Sequence, residues 1–230
     1  EFKRYRSFDF GRNFMDFINL EKAILDINNL HSSISKSYFK QDSINLRTVC
    51  VKDVVDAETG KITEHFLKYI DDYYYQLNIA LVKSDFEYDY SFWDARMRIK
   101  QKESVRNKLY HYQINHNQGE VPIQKCLNDL LGFRLVIDEF DCKSDEIISF
   151  LEGVKNDLNL MKWYTRDKEG YQGTHLYFKN AKNIYFPWEL QLWTTEKVLT
   201  NEKAHEKHVE KRSYIDWPKQ YKEANLRKDE

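Results

Sequence analysis

Four short stretches of this chain carry charged or polar side chains where the surrounding pattern would otherwise be apolar. The first holds Arg98, Lys100, Ser104 and Lys108. Cations on one strand face, leading into a helix start, can neutralise a triphosphate while the helix offers free N–H donors and a hydroxyl. A solvated, charged edge strand would look the same. The second is Asp129-Leu130-Leu131-Gly132-Phe133-Arg134. Here the acid is a candidate magnesium ligand and the arginine a candidate for stacking on a base; a structural ion pair is the alternative. The third runs from Lys168 to His175 through Gly170-Tyr171-Gln172-Gly173. Two glycines allow close backbone approach around a tyrosine that could stack on a nucleobase, although a hairpin loop with a packing tyrosine also fits. The fourth is Trp188-Glu189-Leu190-Gln191-Leu192-Trp193. Strand alternation puts Glu189, Gln191 and Trp193 on one face, so Glu189 is either functional or tied into a salt bridge. Asp129 and Glu189 together could supply the hard oxygen ligands of a nucleotide-bound Mg²⁺.

The elements that must position these residues follow from periodicity. Apolar residues at three-to-four-residue steps predict a helix from Arg12 to Lys36 and another from Thr63 to about Lys83. Between them, Leu46 to Val55 reads as extended. From about Ala95 strands and helices alternate. Arg96 to Lys100 forms a strand with Met97 and Ile99 on one face and three cations on the other. A helix capped by Ser104 follows, then one from Ile123 to Leu131 that stops at Gly132. Next come a strand over Phe133–Ile137, a helix over Ser144–Leu158, and strands near Met161–Tyr164, Thr174–Lys179 and Ile184–Trp193. A last helix spans about Thr195–Glu210. The order implies an α/β or α+β fold, a mixed sheet flanked by helices, with a helical N-terminal extension. Residues 1–92 form that extension, 93–210 the sheet-bearing domain and 211–230 a charged C-terminal tail. The acids Asp85, Glu87 and Asp89 read as a solvated loop.

Several function classes find no support. There is no GxxxxGK[ST] loop, no GxGxxG after a strand, no GxSxG and no HExxH, and none of the seven histidines precedes an aspartate. With 36 basic and 37 acidic residues, any affinity for a polyanion must come from local clusters. Three cysteines without CxxC spacing suggest reduced thiols and a cytoplasmic protein. No apolar run approaches the roughly 18 residues of a membrane span, so no membrane partner is expected.

In order and approximate spacing the four blocks resemble the RelA/SpoT nucleotide pyrophosphokinases, the alarmone synthetases. RIKxxxS, DLLGFR, GYQGTH and ELQLW carry the likeness, which runs from about Arg96 to His208 and includes His205 on the last helix. The resemblance implies a nucleotidyltransferase-like synthetase fold and an Mg²⁺-dependent transfer of pyrophosphate from ATP to a 3′-hydroxyl. By position, Arg98 and Arg134 would sandwich the adenine, and Lys100, Ser104 and Lys108 would hold the phosphates. Asp129 and Glu189 would bind Mg²⁺, with Glu189 also the general base. Tyr171 would stack on the acceptor base, with His175 and Gln191 completing the acceptor side.

Three departures bear on the acceptor. Trp193 stands where the family pattern has a basic residue, the missing His-Asp motif leads to the expectation of a stand-alone domain without a hydrolase, and little chain is expected after the last helix. These features resemble the small toxic synthetases of toxin–antitoxin and phage-defence systems. The resemblance then implies the 3′-CCA end of tRNA as favoured acceptor, with an antitoxin protein as partner. A guanine nucleotide, GDP or GTP, or an adenosine nucleotide is the alternative acceptor, and a catalytically silent nucleotide-sensing module the lesser alternative. Arg96, Lys102 and Arg106 would offer a phosphate-contacting surface.

Overall fold

Alternation along the strands gives the sheet one apolar and one polar face, and the N-terminal helices cover the first. A computed structural model of the chain describes residues 16–37, 43–138 and 140–210. The sheet contains β1 (Arg96–Ile99), β2 (Leu131–Val136), β3 (Leu160–Lys168), β4 (Tyr171–Phe178) and β5 (Trp188–Trp193), in the order β1-β2-β5-β4-β3. β2 and β5 run parallel and the other pairings are antiparallel. The fold is therefore α+β with a mixed sheet, one of the two classes that the order of elements left open.

On the apolar face, Leu131, Phe133, Leu135, Leu176, Phe178, Trp188, Leu190 and Leu192 are all exposed by 2% or less. Burying one such side chain contributes roughly 1.5–3 kcal/mol. Trp188 lies flat on Phe178 with centroids 4.1 Å apart and meets Phe133 edge-on. The helices α1 (Phe17–Ser37) and α2 (Glu64–Lys83) bring Leu20, Ile24, Ile27, Phe66, Tyr73 and Leu77 into the same core. Asp16 starts α1 by accepting from the Asn19 N–H at 3.0 Å. The expected first turn from Arg12 lies outside the described residues, as does the tail 211–230.

Several local expectations are overturned. Leu46–Val55 is not a strand: Val51–Asp53 is a 3₁₀ turn, with single bridges from Cys50 to Pro122 and from Val55 to Ile62. Of the acids after Ser84, Asp85 is the N-cap of α3 (Phe86–Asp89) and Glu87 and Asp89 sit on it, where Glu87 accepts from the Met97 N–H at 2.8 Å and so anchors β1. Helix α4 (Lys102–Asn115) starts earlier than Ser104, with the extended Gln101 at its N-cap. The expected helix over 123–131 shrinks to α5 (Ile123–Cys126), and Gly132 is a strand residue instead of a helix terminator. Helix α6 (Asp145–Asp157) is capped by Ser144, whose hydroxyl accepts from the Ile147 N–H. The final helix is α7 (Val198–Glu210). The three cysteines are unpaired, and among the described residues no helix is long and apolar enough to cross a membrane.

Candidate active site

Fixed register and alternation arrange the polar face of the sheet in rows. Arg98, Gly132, Glu189, Tyr177 and Lys162 form one row across all five strands. Arg96, Arg134, Gln191, His175 and Tyr164 form the next. Residues of all four sequence blocks thus share one surface directly. The glycine in the first row leaves its floor open: a Cβ at Gly132 would stand 3.9 Å from Glu189 Oε2 and 4.0 Å from Arg98 Nε.

The remaining residues gather at the start of β2. Asp129 is not on a helix end as expected; it sits in the bend between α5 and β2. Lys100, just past β1, donates to Asp129 Oδ2 at 2.8 Å, and Lys108 from α4 donates to Oδ1 at 3.0 Å. The Lys100 backbone is held by its own N–H on the Leu130 carbonyl and by the Tyr74 hydroxyl on its carbonyl. Burial pushes the Asp129 carboxyl up, but the two ammonium groups outweigh it and bring it down to about 2. Lys100, buried beside Lys108 and Arg98, is shifted down, whereas Lys108 overcomes its burial through Asp129 and is shifted up. Ser104 is buried in the first turn of α4, on the helix that carries Lys108.

Glu189 is 3% exposed, which without partners would exclude an ionised carboxylate. His175 Nδ1 stands 2.8 Å from Oε1 and Gln191 Nε2 donates to Oε2 at 2.8 Å. Burial raises this carboxyl, yet the His175 bond and charge prevail and hold it below its ordinary value. Asp129 is near enough that its own charge pushes Glu189 the other way. A carboxylate only accepts, so His175 carries its proton on Nδ1. Its Nε2 shares a hydrogen bond with the Tyr171 hydroxyl at 2.9 Å, and that hydroxyl accepts from Trp193 Nε1 at 3.1 Å. An unbroken chain of hydrogen bonds therefore runs from Trp193 through Tyr171 and His175 to Glu189.

Tyr171 is the first residue of β4, not part of a loop as expected; Gly170, at φ +83°, makes the turn before it. Gly173 gives Tyr171 and Trp193 room to meet, since a Cβ there would stand 2.8 Å from the Tyr171 hydroxyl. Arg134 rests one guanidinium face on the Trp193 ring at 4.5 Å and pairs with Glu202 of α7 at 2.6 Å and Asp94 at 3.3 Å. His205 lies on α7 as well. The sequence reading missed Lys162, Tyr164, Arg166 and Tyr177, which complete the face. Tyr164 stacks on His175 with centroids 5.4 Å apart, and the Arg166 guanidinium lies 5.7 Å from the Tyr171 ring centre. The alternation Lys162-Tyr164-Arg166-Lys168 was the available signal. The proposed cationic surface at the other edge is largely neutralised: Arg96 pairs with Asp94 and Lys102 with Asp71.

Two neighbouring carboxylates from separate elements suit a hard divalent ion that keeps water and takes phosphate oxygens. Among the described residues no cluster of three or more His, Cys, Asp or Glu side chains could hold a metal unaided. The donor set thus fits a substrate-borne Mg²⁺ better than a resident zinc.

No protein-family profile and no curated protein matches the sequence. Among solved structures, the chain is similar to small alarmone synthetase 1 from Bacillus subtilis bound to AMPCPP. Sequence identity is 15% and the TM-score 0.32, with 71% of this chain and 84% of that one covered.

Proposed function

We propose that this chain transfers the β,γ-pyrophosphate of ATP to a nucleotide 3′-hydroxyl. The observation that carries the reading is a buried, ionised Glu189 beside a lysine-bound Asp129, on a face lined with cations and aromatic rings. Lys100 and Lys108 hold the triphosphate, with Ser104 on the same helix. Arg134, one face of its guanidinium already on Trp193, offers the other to adenine, with Arg98 opposite. Asp129 and Glu189 hold Mg²⁺, which when bound neutralises phosphate charge as pyrophosphate moves.

Glu189 takes the proton of the acceptor 3′-hydroxyl as that oxygen bonds to the β-phosphorus. The bond from the β-phosphorus to the bridging oxygen breaks, and AMP leaves with the electron pair. His175 fixes the Glu189 carboxylate by its Nδ1–H, and Gln191 holds the second oxygen. The Tyr171 ring stacks on the acceptor base while its hydroxyl orients His175. Positioning and electrostatics of this kind need no covalent nucleophile.

The acceptor side favours the 3′-CCA end of tRNA over GDP or GTP. Where the family pattern has a cation to meet a 5′-diphosphate, Trp193 contributes an aromatic wall whose N–H is already committed to Tyr171. A translation-blocking toxin neutralised by an antitoxin protein follows from that acceptor. The test supplies the purified chain with Mg²⁺ and γ-labelled ATP, and separately with tRNA, GDP, GTP and ATP as acceptors. Label on tRNA, abolished by periodate oxidation of its 3′ end, is the expected result. Label on free nucleotide alone would move the acceptor, and label on none of them would overturn pyrophosphate transfer.

A further inference from the structure

A second concentration of positive charge lies away from the Asp129–Glu189 face. The 43–48 segment, α5, the end of α6 and the first residues of β3 line an open pocket of about 520 Å³, within the range of small-ligand sites. Arg47, Lys125, Lys155 and Lys179 line it, and among the described residues no carboxylate does. Among the described residues only Lys155 has an acid within reach, Glu152 at 3.5 Å on its own helix. Four cations from four separate segments, only Lys155 with a carboxylate partner among the described residues, repel one another unless something anionic joins them. The carbonyl end of α6 opposes this with only about half a charge.

The wall also holds an unfilled hydrogen-bonding group. Gln124 is 6% exposed, its backbone N–H is fixed on the Leu46 carbonyl at 2.8 Å, and its side-chain Nε2 has no partner. Asn159 adds a further amide to the lining. Among the described residues no aromatic ring lines the pocket to stack on a base. What such a lining recognises is phosphate. Its field reaches the polar sheet face: after burial, Lys108 and then Lys125 push the Lys162 ammonium down.

We propose that this pocket is a second phosphate-binding site, separate from that of Lys100 and Lys108, for the clustered phosphates of either a nucleic-acid backbone or a free nucleotide polyphosphate. It goes beyond the active-site reading and does not depend on it. The test uses the full chain with a saturating non-hydrolysable ATP analogue filling the polar face. Fluorescence anisotropy then measures binding of a labelled RNA hairpin ending in CCA and of a labelled nucleoside tetraphosphate.

The variant Arg47→Gln/Lys125→Gln/Lys155→Gln changes exposed side chains and is expected to keep its unfolding temperature. It should weaken one probe by at least about tenfold, and for RNA reduce the slope of log affinity against log salt by about two. Loss confined to RNA assigns the backbone, and loss confined to the tetraphosphate assigns the free polyphosphate. Lys179→Gln alone, which removes one cation, should give a smaller loss in the same direction. Equal binding of both probes by wild type and triple variant would overturn the proposal, as would no binding of either probe to the wild type. Pyrophosphate transfer, assayed separately, reports on the active site alone.

Discussion

Replacing Asp129 by Asn should cost the protein stability as well as activity, because this carboxylate compensates two lysines. Its side chain is 15% exposed, and those of Lys100 and Lys108 are 14% and 22% exposed, so solvent screens the cluster weakly. The carboxyl is lowered from 3.8 to about 2, which at 1.36 kcal/mol per pKa unit amounts to about 2 kcal/mol. Leaving two largely buried cations without their counter-ion belongs with broken buried pairs, which cost roughly 3–5 kcal/mol. We therefore expect urea unfolding at pH 7 to show Asp129→Asn destabilised by about 2–4 kcal/mol. Removing one of the stranded charges should restore part of it. Asp129→Asn/Lys108→Met should be at least about 1 kcal/mol more stable than the sum of its single changes predicts. Neither variant should transfer pyrophosphate. An Asp129→Asn protein within about 0.5 kcal/mol of wild type, or a double variant showing no coupling, would refute the electrostatic reasoning.

Other perturbations separate folding from chemistry. Gly132→Ala places its methyl in ordinary contact, with neighbours no nearer than 3.9 Å, so unfolding should be unchanged while turnover falls as the gap between Arg98 and Glu189 closes; unchanged kinetics would remove that gap from the site. Gly173→Ala forces a methyl to within 2.8 Å of the Tyr171 hydroxyl and 3.0 Å of the Trp193 ring. It should raise the acceptor KM and leave the ATP KM alone, and the opposite pattern would misplace Tyr171. His31 is fully buried, donates from Nε2 to the Phe186 carbonyl at 2.8 Å, and burial lowers its pKa from 6.5 to about 4. Since the unfolded chain binds a proton there before the folded one does, the stability from this group is complete above pH 6.5 and is lost as pH falls to about 4. The loss amounts to about 2 kcal/mol by pH 5 and about 3 kcal/mol in all. His31→Gln should flatten that dependence in urea titrations, and an unaltered slope would assign it elsewhere.

The apolar face and the long helices were legible because burial imposes a period on the sequence. Trp188, Leu190 and Leu192 alternate with Glu189 and Gln191, and α2 ends at Lys83, where its stripe runs out. The segment after Ile123 misled because its leucines keep a helical spacing. There, pairing of Leu131 with Trp188 and the draw of Lys100 and Lys108 on Asp129 win over local propensity. β3 was read too short because its last residues are exposed on both faces and carry no apolar signal. The link between Trp193 and Tyr171 was invisible for another reason: it spans β4 and β5, and only register brings the two rings together. Residue types disclosed which side chains could do chemistry, and the sheet determined which of them meet.

The central claim is that a buried carboxylate on β5 drives attack on the β-phosphorus of ATP. Its most direct test is chromatography of the adenine nucleotides released with Mg²⁺ and the acceptor that takes label. We predict one AMP for each modified 3′ end, none from an acceptor lacking the 3′-hydroxyl, and a fall of at least about 10²-fold in Glu189→Gln. Release of ADP in place of AMP, or a Glu189→Gln protein forming AMP at the wild-type rate, would contradict the account.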